Sequence, residues 1–239
     1  MYNLEAFYQG LEELEIVLKE EQIQQFIQYY ELLVEKNKLM NLTGITEWEE
    51  VVQKHFIDSL ALIKVVNLSE HKKILDMGTG AGFPGIPLKI AFPQLEMVLL
   101  DSLNKRIKFL QEVIETVGLT GIEAHHGRAE DFAKNEIYRE QFDFVVSRAV
   151  ANLSTLSEYC IPFVKIGGKF ISYKSGEIEE ELNGAKRAIS VLGGKVEKVQ
   201  EFSLPNSDVA RSFVVIGKEE LTKKKYPRMG GKPAKEPIK

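Results

Sequence analysis

The densest chemistry in this chain lies in twelve residues, Ile74-Leu-Asp-Met-Gly-Thr-Gly-Ala-Gly-Phe-Pro-Gly85. Glycines at 78, 80 and 82 allow a tight turn and let a ligand approach bare backbone, which a Cβ would prevent. The helix expected to start near Pro84 would turn its free N–H groups and positive end toward a polar ligand. Asp76 stands two residues before the first glycine, where a carboxylate can take a ligand's amino group directly or through water. Asp101 ends the next apolar run and is suited to hold both hydroxyls of a ribose. Its alternative role is a cap for the helix that follows Ser102. From Gly80 the same letters spell G-x-G-x-x-G, the dinucleotide fingerprint, which alone is weak. The chemistry indicated is binding of a nucleoside-bearing cofactor, either a nicotinamide dinucleotide or a sulfonium.

Further acids and bases fall at corresponding places downstream. Gly127-Arg128-Ala129-Glu130 follows an apolar run, and there Ala129 and Glu130 offer an amide and an acceptor to an adenine. The competing reading is an acid-rich helix start. Arg148, in Val145-Val146-Ser147-Arg148-Ala149, stands at the carboxyl edge where open α/β sheets bind ligands, and its charge is costly to bury without an anionic partner. Cys160 is the only cysteine, which excludes an internal disulfide and a cysteine-cluster zinc site. His55, His71, His125 and His126 lack metal-ligand spacing, so no metal is expected.

These residues need a framework. The periodicity predicts strands over 73–77, 96–101, 122–126, 142–147 and 168–173, alternating with helices near 84–92, 103–117, 152–163 and 177–192, the βαβ pattern of a parallel sheet. Two more β-like runs, 195–203 and 211–217, are separated by a loop with Pro205, Asn206 and Asp208, as antiparallel strands would be. The expected fold is a Rossmann-like α/β domain with a mostly parallel seven-stranded sheet and a C-terminal antiparallel hairpin. The late hairpin disfavours an ordinary dinucleotide-binding fold and so an NAD(P)-dependent oxidoreductase. Residues 1–66 read as a helical extension, with Thr46 and Glu49 spaced as a capping box for a helix through Trp48. Residues 67–217 would form the cofactor-binding domain and 218–239 a basic tail.

The 239 residues are 44% hydrophobic, enough for a full core. No apolar run reaches the ~20 residues that span a bilayer, and the start is acidic and helically periodic, so a cytoplasmic protein is expected. Charge is unevenly placed: residues 1–50 carry eleven acids against three lysines, and residues 218–239 carry eight Lys or Arg against three Glu. A basic tail can bind phosphate or merely stay solvated.

The stretches NLTGI, HFIDSL, ILDMGTGAGFPGIPLKI, LLDSLNKRIKFL, GRAEDF, FDFVVSRAV, KSG at 174–176 and the terminal KKYPRMGGKPAKEPI resemble, in order and over nearly the whole chain, the RsmG (GidB) family of small-subunit rRNA methyltransferases. The resemblance implies S-adenosyl-L-methionine as cofactor and N7 of one guanine in the 530 loop of bacterial 16S rRNA as acceptor. It implies cofactor contacts at Gly78, Phe83, Ala129, Glu130 and Arg148, with Asp101 on the ribose. Phe83 stands where the family often has Leu. Asp76, Gly80 and Gly82 join these from the loop chemistry. Arg148 is also the expected positioning residue for catalysis, no dedicated base being needed at N7. Arg128, Lys174, Arg211, Lys224, Tyr226 and Arg228 are the expected RNA contacts, Tyr226 by stacking on a base. His55 and Asp58 match the family's HFIDSL stretch, or else belong to a helix that faces the catalytic domain. The expected partner is 16S rRNA or the small ribosomal subunit, and the expected state a monomer. A non-catalytic RNA-binding assembly protein with an idle cofactor fold is the remaining alternative.

Overall fold

The computed structural model describes residues 2–148 and 150–239; Met1 and Ala149 lie outside it. Seven strands among these residues form one sheet in the order β3-β2-β1-β4-β5-β7-β6. They are β1 Lys73–Met77, β2 Glu96–Asp101, β3 Ile122–His126, β4 Phe142–Arg148, β5 Val164–Ser175, β6 Gly194–Ser203 and β7 Ala210–Lys218. The first five are parallel, and β7 runs antiparallel between β5 and β6. The seven-stranded sheet with its late hairpin is the expected architecture.

Successive side chains of a strand face opposite sides, and here both sides are covered, so the central strands read as continuous apolar runs. Ile74, Met97, Leu99, Val146 and Ile171 face one core, built with α1 (Glu5–Glu13), α2 (Glu20–Met40), α5 (Gly85–Ala91) and α6 (Asn104–Val117). Leu75, Val98, Leu100, Val145 and Phe170 face a second core with α7 (Ala129–Phe132), α8 (Leu153–Cys160) and α9 (Glu179–Val191). The N-terminal helices therefore share a core with the sheet from Phe7 to Val215.

Between α2 and β1 the chain is helical but irregular. α3 (Trp48–Val51) opens into a π-helical stretch, Val52–Ile57, recloses as α4 (Asp58–Leu60) and tightens to a 3₁₀ turn, Ala61–Lys64. A single α-helix is the simplest expectation from its apolar spacing. Such π-bulges cluster at functional sites, and this one carries His55. The expected capping box does not form: Glu47 is the N-cap with no side-chain bond, and the Thr46 carbonyl accepts the Tyr30 hydroxyl at 2.8 Å.

The C-terminal segment is fastened down. Lys218 is buried, donates to the carbonyls of Ile161 (3.1 Å) and Leu192 (3.4 Å), and pairs with Glu140 at 3.2 Å. Burial pushes its ammonium down to about 8. Further on, α10 (Lys232–Lys235) and Ile238 pack beside α8, where Thr155 donates to Pro233 O and Ser154 to Ile238 O. Among the described residues no helix is long and apolar enough to cross a membrane.

Candidate active site

The glycine loop leaves β1 at the carboxyl edge of the sheet. Gly80 has φ +62° with open space where a Cβ would point, so its position is conformationally reserved and faces the cavity. Gly82 has φ +104°, and a Cβ there would fall 2.9 Å from the Tyr29 hydroxyl and 2.6 Å from Ile86. Tyr29, fully buried on α2, donates to Ala81 O at 2.6 Å and clamps the loop from the N-terminal side. Sequence reasoning passes over Tyr29. Its neighbours Phe26, Tyr30 and Leu33 mark a buried helix face, but no local signal ties that face to the loop.

Asp76 holds the loop from beneath. It is fully buried; its Oδ2 accepts from the Thr79 hydroxyl at 2.7 Å and the Gly85 amide at 2.8 Å. Oδ1 is buried without a partner among the described residues. Burial raises the carboxyl to about 6, against the lowering effect of those two bonds. Asp76 lines neither of the two cavities at this edge, so of the two expected modes, direct or through water, the direct one is not what the geometry offers.

Asp101, 3% exposed, ends β2 facing both cavities. Its Oδ2 accepts from Gly80 N (3.0 Å) and Arg106 (3.1 Å), and its Oδ1 from Leu103 N (2.9 Å). The helix-cap role and the loop-holding role therefore coexist. A carboxylate has about four lone-pair sites, so capacity remains for a ligand hydroxyl.

One cavity, about 350 Å³, is lined by Gly78, Gly80, Phe83, Asp101 and Arg148. The other, about 250 Å³, is lined by Asp101, Arg128, Ala129, Glu130 and Tyr159. They meet at Gly78, Asp101, Ser102 and Val150. Together they form a trough along the carboxyl edge with a carboxylate at its middle, a fit for an elongated nucleoside with a charged arm. Gly82 is not in either lining and acts through the shape of the loop.

Arg148 separates this trough from a third cavity of about 650 Å³ that carries Lys54, Asp58, Lys174 and Arg211, and it lines both. Its guanidinium lies 5.0 Å above the Phe83 ring and donates to Asp58 Oδ2 at 2.9 Å and to Lys54 O at 3.3 Å. Arg211 Nε donates to the other Asp58 oxygen at 2.9 Å. Asp58, 3% exposed, thus bridges two arginines from strands on opposite sides of β5. The anionic partner that a strand-end arginine requires is supplied from within, 90 residues upstream.

His55 stacks on Phe83 with ring centres 4.5 Å apart and contacts Thr43 Oγ1 through Nε2 at 2.9 Å. Burial, and then the Arg148 charge, lower it to about 3, so it is neutral near pH 7 and adds no second cation beside Arg148. A folded value below the unfolded 6.5 means that stability is fully present above pH 6.5 and is lost as pH falls toward 3. Melting temperature is expected to drop more steeply from pH 7 to 5 in the native chain than in His55→Gln. Parallel curves would show that His55 is not held neutral.

The expected RNA contacts divide. Arg128 and Lys224 are exposed. Lys174 is paired with Glu181 at 2.5 Å, and Arg211 with Asp58, both at the mouth of the 650 Å³ cavity. Arg228 and Tyr226 do not stand free, which corrects the expectation for both. Arg228 makes a bidentate pair with Glu158, 2.7 Å at its shortest, and Tyr226 is 9% exposed in the second core, where it can stack on no base.

An α/β sheet in this order, with a glycine loop after its first strand and an acid ending its second, defines a Rossmann-like methyltransferase. A methyltransferase from Pyrococcus furiosus matches with TM-score 0.54 at 17% identity, over 82% of this chain and 98% of that one. M. jannaschii TYW2, solved with AdoMet, matches with TM-score 0.51 at 15% identity over 66% and 72%. Residues 22–210 match the GidB family model, rRNA small subunit methyltransferase G. The Ribosomal RNA small subunit methyltransferase G of Lachnoclostridium phytofermentans is 55% identical over 238 residues, 100% of this chain and 98% of its own. The chain belongs to the rRNA small subunit methyltransferase G family.

Proposed function

We propose that this chain transfers a methyl group from S-adenosyl-L-methionine to N7 of a guanine in the 530 loop of bacterial 16S rRNA, acting as a cytoplasmic monomer on the RNA or the small subunit. The observation that carries the reading is Arg148, set as a partition between the nucleoside-shaped trough and the cavity edged with Lys54, Lys174 and Arg211. Family membership supports the RNA acceptor and weighs against an oxidoreductase.

When bound, S-adenosylmethionine supplies an electrophilic methyl group. Asp101 would hold the ribose, Ala129 and Glu130 the adenine, and Gly78, Gly80, Phe83 and Arg148 the charged arm. Guanine N7 bears a free lone pair and no proton, so the chain needs no base at the acceptor. Its task is positioning and charge placement. Phe83 and His55 form a stacked, uncharged wall beside the trough. Arg148, fixed by Asp58, keeps its planar fork at the boundary, where O6 or a carboxylate would meet it.

Incubation of the chain with labelled S-adenosylmethionine and unmethylated small subunits, followed by mapping of the modified base, tests the proposal. A single N7-methylguanine in the 530 loop is expected. Label at a different position, or on a different atom, would overturn the acceptor.

A further inference from the structure

We propose that the C-terminal segment Tyr226–Ile238 backs the adenine end of the cofactor trough from behind its lining and aims Glu130 into it, rather than serving as an RNA-binding arm. This rests on the reading of the Ala129–Glu130 cavity as the adenine site. Glu130 is 4% exposed and lines that cavity, and its Oε1 accepts the Gly231 amide at 3.2 Å. The bond reaches across 101 residues. It takes one of about four carboxylate lone-pair positions, so it orients the group while leaving an acceptor for an exocyclic amine. Arg128, which lines the same cavity, also lies against the segment: a Cβ on Gly231 would fall 3.8 Å from its Nη1.

The segment is held tightly enough to do this. Arg228 Nε and Nη2 donate to both oxygens of Glu158, 1% exposed and adjacent to Tyr159 on α8, and the Arg228 amide donates to the same carboxylate at 2.7 Å. Arg139 donates to Tyr226 O at 2.9 Å and Thr222 O at 2.7 Å. Bidentate, charge-assisted bonds to a buried carboxylate fix orientation as well as position. The cationic excess of the segment is spent in part on these internal partners, so charge counting alone misassigns it.

Calorimetry with S-adenosylhomocysteine and S-inosylhomocysteine, which replaces the adenine amine by a carbonyl, tests the assignment on three proteins. These are the full chain, the chain ending at Lys225, and full-length Arg228→Gln, each with a thermal melt. The full chain should favour the adenosyl ligand at least tenfold. The shortened chain should lose at least tenfold in its affinity for that ligand, and its preference should fall below threefold. Arg228→Gln should lie between, and it decides the matter if the shortened chain does not fold. Full preference retained in Arg228→Gln, or in a shortened chain that melts cooperatively, overturns the role of the segment. A full chain that binds neither ligand, or binds both alike, overturns instead the reading of the Glu130 cavity.

Discussion

Asp101→Ala is expected to lower affinity for S-adenosylhomocysteine by two orders of magnitude or more. The lone-pair site that Gly80 N, Arg106 and Leu103 N leave open takes one ribose hydroxyl, a bond to a charged group that contributes roughly 1.5–3 kcal/mol. The structure adds a second cost. Asp101 also accepts from Gly80 N, Leu103 N and Arg106, so alanine releases the glycine loop and leaves Gly80 without its acceptor. Asparagine should rescue little. Both carboxylate oxygens face donors, and an amide would turn its own N–H₂ toward one of them. Calorimetry on both variants, with melting temperature as the control for folding, checks this. Affinity within threefold of the native chain in Asp101→Ala would place the ribose elsewhere.

Arg148→Ala should cost at least tenfold in methyl transfer, about 1.4 kcal/mol in the barrier, and also lower the melting temperature. Seen only as the end of a strand, Arg148 ought to be dispensable for stability. Its partner Asp58 has a side chain 4% exposed, and breaking a buried pair typically costs 3–5 kcal/mol because one charge stays buried unpaired. Arg211 still satisfies the second oxygen, so a loss nearer 2 kcal/mol is expected. The triple variant Arg148→Ala/Asp58→Ala/Arg211→Ala, which leaves no member of the bridge unpaired, separates the two effects: stability should recover while methyl transfer does not. Lysine at 148 keeps the charge without the fork and should rescue poorly. Methyl transfer near the native rate in Arg148→Ala would remove the residue from the site, and an unchanged melting temperature would show the pair to be of no structural weight.

Elements set by local pattern are legible in the sequence. The expected 73–77, 96–101 and 122–126 coincide with β1, β2 and β3, and the Gly78–Gly85 loop stands where its glycines imply. β5 is longer than the expected 168–173: the strand runs from Val164 through Gly167 and Gly168 to Ser175, with its register shifted against Phe142. A Cβ on Gly168 would fall 2.6 Å from Asp143 O, so that glycine serves close approach rather than chain reversal.

What stays illegible is the choice of partner across long sequence separation. Nothing near Arg148 points to Asp58, nothing near Ala81 to Tyr29, and nothing near Arg228 to Glu158, since each pairing is made by packing of elements and not by spacing. The π-helical turn at Val52–Ile57 belongs to the same class. Its apolar residues repeat at ordinary helical intervals, and only the contacts of His55 and Asp58 with the sheet edge show why the helix widens there.

The position of β7 between β5 and β6 has a consequence for how the chain is made. β6 leaves the ribosome before β7 yet pairs with no other strand, and β5 presents an open edge until β7 arrives. For that interval the nascent chain carries the open edge of the apolar β5 and an unpaired β6, a state prone to pair with the wrong partner. A chain interrupted before Ala210 would keep both edges open and be exposed to aggregation and proteolysis before any catalytic defect could matter.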